Sequence, residues 1–317
     1  MRAFCILLSL VLSTSVAAQS YPSKPIRYIV PFTPGGSSDL IARAIAPKMS
    51  EKLGQPIVVE NRPGAGGMLG VDAVAKAAPD GYTIGLAAAG ALSSNIHLYP
   101  TMPYHPEKDL APITNLAMIP FFLVAHPSAA SSIKELIEKA KARPGALSYG
   151  HGGQGSTMHL AGELLNMLAK VNVQAVPYKG SAPVSGDVLG GTIPYGVVDV
   201  PSAISNVKAG KMKALAVTSK HRIAAAPDVP TFEEAGLPGY EAVGWFGSVA
   251  PAGTPKAIID RLNAETRAAL ALPEVRDRVI AAGTEPATTT PEEFAAYIRE
   301  ETKKWGEVIK AGNIKLQ

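Results

Sequence analysis

Val30-Pro31-Phe32-Thr33-Pro34-Gly35-Gly36-Ser37-Ser38-Asp39-Leu40-Ile41 decides how this chain is read. It closes an apolar, β-favouring run at residues 26–31. It then opens a stretch in which Ile41, Ile45, Met49 and Leu53 recur every four residues, with Gly54 where a helix would end. A strand that turns through glycines into a helix is the start of a βαβ unit. Strands are expected next at 57–60 and 82–87, with an Ala-rich helix at 69–78 between them. This set makes one lobe.

After residues 113–125 the pattern restarts. Helices are expected at 133–142 and 157–168, strands at 147–149, 173–176, 193–198 and 212–217, and a helical segment at 201–209. Past a Pro-rich connection at 226–238 come a strand at 242–249 and three helices at 255–272, 273–282 and 291–311. Each of these helices opens on a proline, and Thr254 and Thr290 precede the first and third as expected caps. The terminal helices have no strands of their own, so the simplest packing returns them to the first lobe. The chain then crosses between lobes twice, near 119–124 and 242–249. The expected fold is α/β, with two Rossmann-like lobes joined by two crossing strands: residues 21–120 with 242–317 as lobe 1, and 121–241 as lobe 2.

The N-terminus adds a compartment. Arg2, an apolar run at 4–11 and the small-residue stretch ending Val16-Ala17-Ala18 read as a secretory signal peptide over residues 1–18. Cys5, the only cysteine, falls inside it, so the expected mature protein has no disulfide and is held by its core. Loss of Arg2 lowers the formal charge from +4 by one, to +3, with both signs scattered. That excludes a basic nucleic-acid footprint. No second apolar stretch is long enough to span a bilayer.

Two turns carry the chemistry. Thr33-Pro34-Gly35-Gly36-Ser37-Ser38-Asp39 and Gly150-His151-Gly152-Gly153-Gln154-Gly155-Ser156-Thr157 each follow a strand, are rich in glycine and hydroxyls, and open a helix. Free N–H groups at such a terminus, reinforced by the helix dipole, bind anions, and glycine admits a ligand close to the backbone. Ser37, Ser156 and Thr157 add hydroxyl donors. One such turn per lobe suggests two jaws on one ligand, although each turn alone also fits plain chain reversal and capping. Asp39 either positions the ligand or complements the dipole. Asp199 either presents a polar group at the carboxyl edge of a strand or caps the helix at Pro201. Tyr178 closes a strand at the same edge, and Phe32 either lines the cavity as an apolar wall or belongs to the core. Neither turn contains an arginine, so recognition by amides, hydroxyls and waters is expected, without a bidentate clamp.

Catalytic motifs are scarce. There is no Gly-x-Ser-x-Gly elbow, His-Glu-x-x-His, Walker loop or cysteine nucleophile. Ser156 and His159 share a helix face, which leaves a secreted serine-type hydrolase as the alternative, beside a sensor or scaffold protein. Gly64-Ala65-Gly66-Gly67-Met68-Leu69-Gly70 misses the dinucleotide fingerprint because its last glycine falls one residue late. The six histidines form no pair at metal spacing. No enzyme activity, cofactor, metal or nucleic-acid partner is expected.

Several ordered motifs resemble a known family. They are Tyr21-Pro22-x-Lys24-Pro25-Ile26, Val30-Pro31-Phe32-x-Pro34-Gly35-Gly36-x-x-Asp39, Val59-Glu60-Asn61-Arg62-Pro63-Gly64-Ala65-Gly66-Gly67, Pro79-Asp80-Gly81-Tyr82-Thr83, Gly155-Ser156-x-x-His159-Leu160-Ala161, Val176-Pro177-Tyr178-Lys179-Gly180, Pro227-x-Val229-Pro230-Thr231 and Trp245-Phe246-Gly247. Together they resemble the receptors of tripartite tricarboxylate transporters, also called Bug proteins, over essentially the whole mature chain. The resemblance implies a periplasmic binding protein of type II-like, Venus-flytrap form, monomeric, closing on a small carboxylate and docking with separate membrane permease subunits. It also implies that one ligand carboxylate sits between the turn from Phe32 to Asp39 and the facing turn from Gly155 to Thr157, with waters bridging. Family members take citrate-like acids, dicarboxylates, acidic amino acids and aromatic acids. The loop Ala87-Ala88-Ala89-Gly90-Ala91-Leu92-Ser93, in which Ala89 and Gly90 are candidate contacts, is less polar than a strongly anionic ligand's far end would want. It favours a ligand with an apolar portion.

Overall fold

The alternating strand and helix patterns resolve into two separate sheets in the computed structural model, which describes residues 21–315. The expected signal peptide lies outside these residues. In chain order the elements are β1 (Ile26–Val30), α1 (Ser37–Leu53), β2 (Ile57–Asn61), a 3-10 turn (Ala65–Gly67), α2 (Met68–Ala75) and β3 (Thr83–Ala88). A π-helical turn (Gly90–Ser94) runs into α3 (Asn95–Leu98), followed by α4 (Pro106–Asp109) and β4 (Leu110–Ile119). Then come β5 (Phe121–Ala125), α5 (Ile133–Ala142), β6 (Leu147–His151), α6 (Thr157–Ala169), β7 (Val173–Pro177), α7 (Ser181–Leu189), β8 (Tyr195–Asp199), α8 (Val200–Lys208) and β9 (Lys213–Val217). The chain ends with β10 (Gly244–Pro251), α9 (Lys256–Ala271), α10 (Pro273–Ala281), β11 (Glu285–Pro286) and α11 (Pro291–Ala311).

The first sheet has the order β11-β4-β10-β3-β1-β2 and the second β7-β6-β8-β5-β9. β1 runs parallel to β2 and β3, and β6 runs parallel to β7 and β8. Each sheet departs from the all-parallel pattern at one interior strand: β10 is antiparallel to β3 and β4, and β5 is antiparallel to β8 and β9, while the short edge strand β11 is also antiparallel to β4. β10 and β5 enter directly from the other lobe. No crossover helix precedes them to restore a parallel direction.

Pro120 splits the run expected over 113–125 into β4 and β5, because proline has no N–H to give a ladder. The two crossings lie side by side. The Phe121 N–H donates to Thr218 Oγ1 (2.9 Å), and the Ala242 N–H donates to the Thr218 carbonyl (3.0 Å). Gly244 pairs with Ile119, and a Cβ at Gly244 would stand 3.2 Å from the Phe121 ring. Glycine lets the two connecting chains approach that closely.

Local rules explain the helices that position the site. Ile41, Ile45, Met49 and Leu53 of α1 are all buried, and Gly54 takes a left-handed conformation (φ 70°) that stops the helix, its N–H on the Ser50 carbonyl. Each such side chain contributes roughly 1.5–3 kcal/mol by leaving water. Thr290 caps α11 in a full capping box with Glu293, as expected. Thr254 does not cap α9: its hydroxyl donates to the Pro251 carbonyl at 2.7 Å, closing the preceding turn instead. α7 escapes sequence reading because Pro183 and Gly186 sit inside it.

The return of the terminal helices to the first lobe describes only part of α11. Phe294 and Ile298 do pack with Trp245 and Leu92. Trp305, Val308 and Ile309, however, join Tyr149, Leu160 and Leu164 in the core of the second sheet. One helix therefore contributes to the cores under both sheets.

Candidate ligand-binding site

A cavity of about 250 Å³ opens between the two sheets, and four helical N-termini reach its wall. Ser37 is the first residue of α1, Thr157 the first of α6, Asp199 the N-cap of α8, and Ala89 and Gly90 lead into the π-helical turn. The positive ends of these helix dipoles thus point toward the cavity, and no cationic side chain lines it.

These termini differ in how they are finished. Ser156 accepts the His159 N–H (3.3 Å) and Asp199 Oδ1 accepts the Ser202 N–H (2.9 Å), so α6 and α8 are capped by side chains. At α1 the N-cap is Gly36, which offers no side-chain acceptor. The first-turn amides of the seventeen-residue helix α1 are left without an internal side-chain partner.

Asp39 lies behind this turn as a brace. It is buried; its Oδ2 accepts the Gly35 N–H at 2.9 Å, its Oδ1 accepts Asn61 Nδ2 at 2.9 Å, and Arg43 Nε donates to both oxygens. Burial pushes its carboxyl upward, but the Arg43 guanidinium, the Gly35 amide and the Asn61 amide outweigh it and hold the group below the usual carboxylate range. Gly35, at φ 86°, makes the sharp turn this bracing requires. Asn61 Nδ2 also donates to the Phe32 carbonyl (3.0 Å), tying β2 to the same loop.

The turn in the second lobe is braced by histidines. His159 Nδ1 accepts the Gly155 N–H (3.1 Å), and the Ser156 hydroxyl donates to the Gly153 carbonyl (2.7 Å). His151 Nδ1 lies 2.9 Å from the same Gly153 carbonyl, to which it donates, leaving Nε2 buried without a partner. Burial lowers both imidazoles to about 4, with repulsion between them adding to the effect at His151.

Ser37, Ala89, Gly90, Thr157 and Asp199 therefore meet on one cavity wall. Thr33, Pro34, Gly35 and Gly36 form the exposed turn leading to Ser37, and Gly155 and Ser156 the turn leading to Thr157. His159 is buried behind that turn, and the Tyr178 hydroxyl donates to Asp187 at 2.6 Å. Phe32 is half-buried against Phe246, with ring centroids 6.3 Å apart. The rest of the wall was not singled out by the sequence. Ile119, Phe121 and Trp245 supply apolar surface, while Pro201 and Gly283 approach each other across it. Ile119, Phe121 and Trp245 come from the crossings, Pro201 from the first turn of α8 and Gly283 from the turn after α10, so their meeting is set by topology and not by any local motif.

The hydrolase alternative fails on geometry and on kinship. The Ser156 hydroxyl is committed to the Gly153 carbonyl and the His159 ring to the Gly155 amide, so no nucleophile–base pair forms. The family model for the tripartite tricarboxylate transporter family receptor matches residues 41–314. The chain belongs to this family. BugT of Bordetella pertussis is 38% identical over 308 residues, covering 96% of this chain and 94% of BugT. A protein from R. palustris solved with adipate is 36% identical with a TM-score of 0.76, covering 93% of this chain and 100% of that one. MatC from Rhodopseudomonas palustris, solved with bound malate, is 34% identical with a TM-score of 0.71, covering 91% and 100%. These relatives are periplasmic solute-binding receptors of the two-lobed, type II-like fold, not enzymes, and this receptor shares that class.

Proposed function

We propose that this receptor captures a small carboxylate between lobe 1 (residues 21–120 and 242–317) and lobe 2 (residues 121–241), and delivers it to the permease subunits of a tripartite tricarboxylate-type transporter. It does so as a periplasmic monomer freed from its signal peptide. The observation that carries this reading is the presence of Ser37 and Thr157, at the N-termini of α1 and α6, on opposite lobes and on one cavity.

The exposed turn Thr33, Pro34, Gly35 and Gly36 and the facing Gly155, Ser156 and Thr157 hold one carboxylate by amides, hydroxyls and bridging water. Phe32 and Tyr178 shape the surroundings, Asp39 and His159 fix the two turns, and Ala89, Gly90 and Asp199 face the remainder of the ligand. Binding to both lobes at once favours the closed arrangement by whatever affinity that arrangement adds. The adipate and malate held by the two R. palustris relatives are small carboxylates that suit a cavity of this kind.

The test is a thermal-shift screen of the chain lacking residues 1–18 against mono-, di- and tricarboxylates, aromatic acids, acidic amino acids and matched amides. A carboxylate should raise the melting temperature and its amide should not. Silence across the panel, after any copurified ligand is removed, would move the protein into the scaffold class.

A further inference from the structure

The cavity wall holds one ionisable side chain, Asp199, and its two oxygens are used unequally. Oδ1 accepts the Ser202 N–H at 2.9 Å as the cap of α8. Among the described residues that bond is the only one made to the Asp199 carboxylate, so Oδ2 is left free to accept. The cap bond holds the side chain, and the backbone that carries it is fixed on both sides. The Asp199 N–H donates to Ser181 Oγ (3.1 Å), its carbonyl accepts the Ser202 hydroxyl (2.9 Å), and β8 is held in register by the pairing of Asp199 with Phe121. No lysine, arginine or histidine lines the cavity to offset the charge, and much of the facing surface is Ala88, Ile119, Phe121 and Trp245.

We propose that Asp199 selects ligands carrying a hydrogen-bond donor in addition to the anchored carboxylate, so that a hydroxy or amino acid is preferred over the plain acid of the same skeleton. This rests on the carboxylate-receptor reading and names the ligand class within it. Hydroxyls such as those of Ser37 and Thr157 rotate to serve as donor or acceptor, whereas an ionised carboxylate only accepts. When the lobes close and water leaves, a ligand with a donor satisfies Oδ2 with a charge-assisted bond. A ligand without one leaves a desolvated charge unpaired. The capping role of Asp199 explains Oδ1 and makes no demand on Oδ2.

The experiment is calorimetric titration of matched pairs: lactate against propionate, malate against succinate, and aspartate against succinate. In the pairs that bind, the donor-bearing acid should be tighter by about tenfold or more. Asp199→Asn is the companion variant, because asparagine caps helices as well as aspartate. Its oxygen keeps the Ser202 N–H and its amide NH2 takes the place of Oδ2, so the preference should collapse or invert. Equal affinities within the pairs, or a preference unchanged in Asp199→Asn, would overturn the inference while leaving carboxylate capture standing. Absence of binding by every acid would instead sink the receptor reading itself. Equal affinities in the wild type overturn the inference even if the variant folds poorly, and Asp199→Glu, which keeps the charge but moves the oxygens, serves as the second variant.

Discussion

The imidazole rings of His151 and His159 stack face to face behind the second-lobe turn, 4.3 Å between centroids and 13° from parallel. Each braces a different backbone group of that turn, and both are buried. Burial lowers each from 6.5 to about 4. Between these values the unfolded chain binds protons that the folded chain refuses. Stability is therefore full above about pH 6.5 and is lost as pH falls toward about 4, by on the order of 3 kcal/mol per ring, the two being coupled and not additive. Glu163, raised by burial beside them, works in the opposite sense. His151→Phe keeps an aromatic ring in the stack and removes one titrating site. Its urea midpoint should fall less between pH 7 and pH 4.5 than that of the wild type, and parallel falls would refute this origin.

Both tryptophans of the chain share one buried carboxylate. Trp245 Nε1 and Trp305 Nε1 donate to Glu301 Oε2 at 3.2 and 2.8 Å, and Lys304 pairs with the other oxygen. Glu301→Ala strands two indole N–H groups, while Lys304 keeps the Glu241 carbonyl at 3.1 Å, and should cost about 3 kcal/mol in denaturant melts. Trp245 lines the cavity, so its fluorescence should shift as well. A loss below about 1 kcal/mol would show that water replaces the carboxylate.

Gly283 and Pro201 touch across the cleft. Gly283 has φ 77°, and a Cβ there would stand 2.5 Å from Pro201 Cγ. Gly283→Ala should cost about 1 kcal/mol for the backbone alone. It should also weaken ligand affinity further, by pushing α8 from the turn after α10. Unchanged affinity, measured by calorimetry at a temperature where the variant is folded, would show that this contact is absent from the closed state.

Much of the architecture is legible in the sequence because its signals are local. The four-residue repeat in α1, the bounds of α5 and α11, and the strand-to-helix turns at Gly36 and Ser156 follow from side-chain period and capping chemistry. What escaped depends on partners distant in the chain. α7 carries Pro183 and Gly186, two poor helix formers kept in place by the burial of Ser181, Val184, Ser185 and Val188. The antiparallel run of β5 and β10 follows from which lobe each strand enters. The site divides the same way. Ser37 and Thr157 announce themselves as the openings of Gly-rich turns, and Asp199 as a cap before proline. Trp245 and Gly283 reach the wall only through topology.

The measurement that tests the central claim most directly is calorimetric titration of Gly36→Val with the carboxylate that gives the wild type its largest thermal shift. Gly36 has an ordinary φ of −78°, and the nearest atom to an added Cβ is the Thr33 carbonyl oxygen at 3.8 Å, so the fold should tolerate the valine. Its side chain would stand over the uncapped amides of α1. The account predicts a melting temperature close to the wild type and an affinity at least about 100-fold weaker, roughly 2.7 kcal/mol. A folded variant that binds the carboxylate as tightly as the wild type would contradict it.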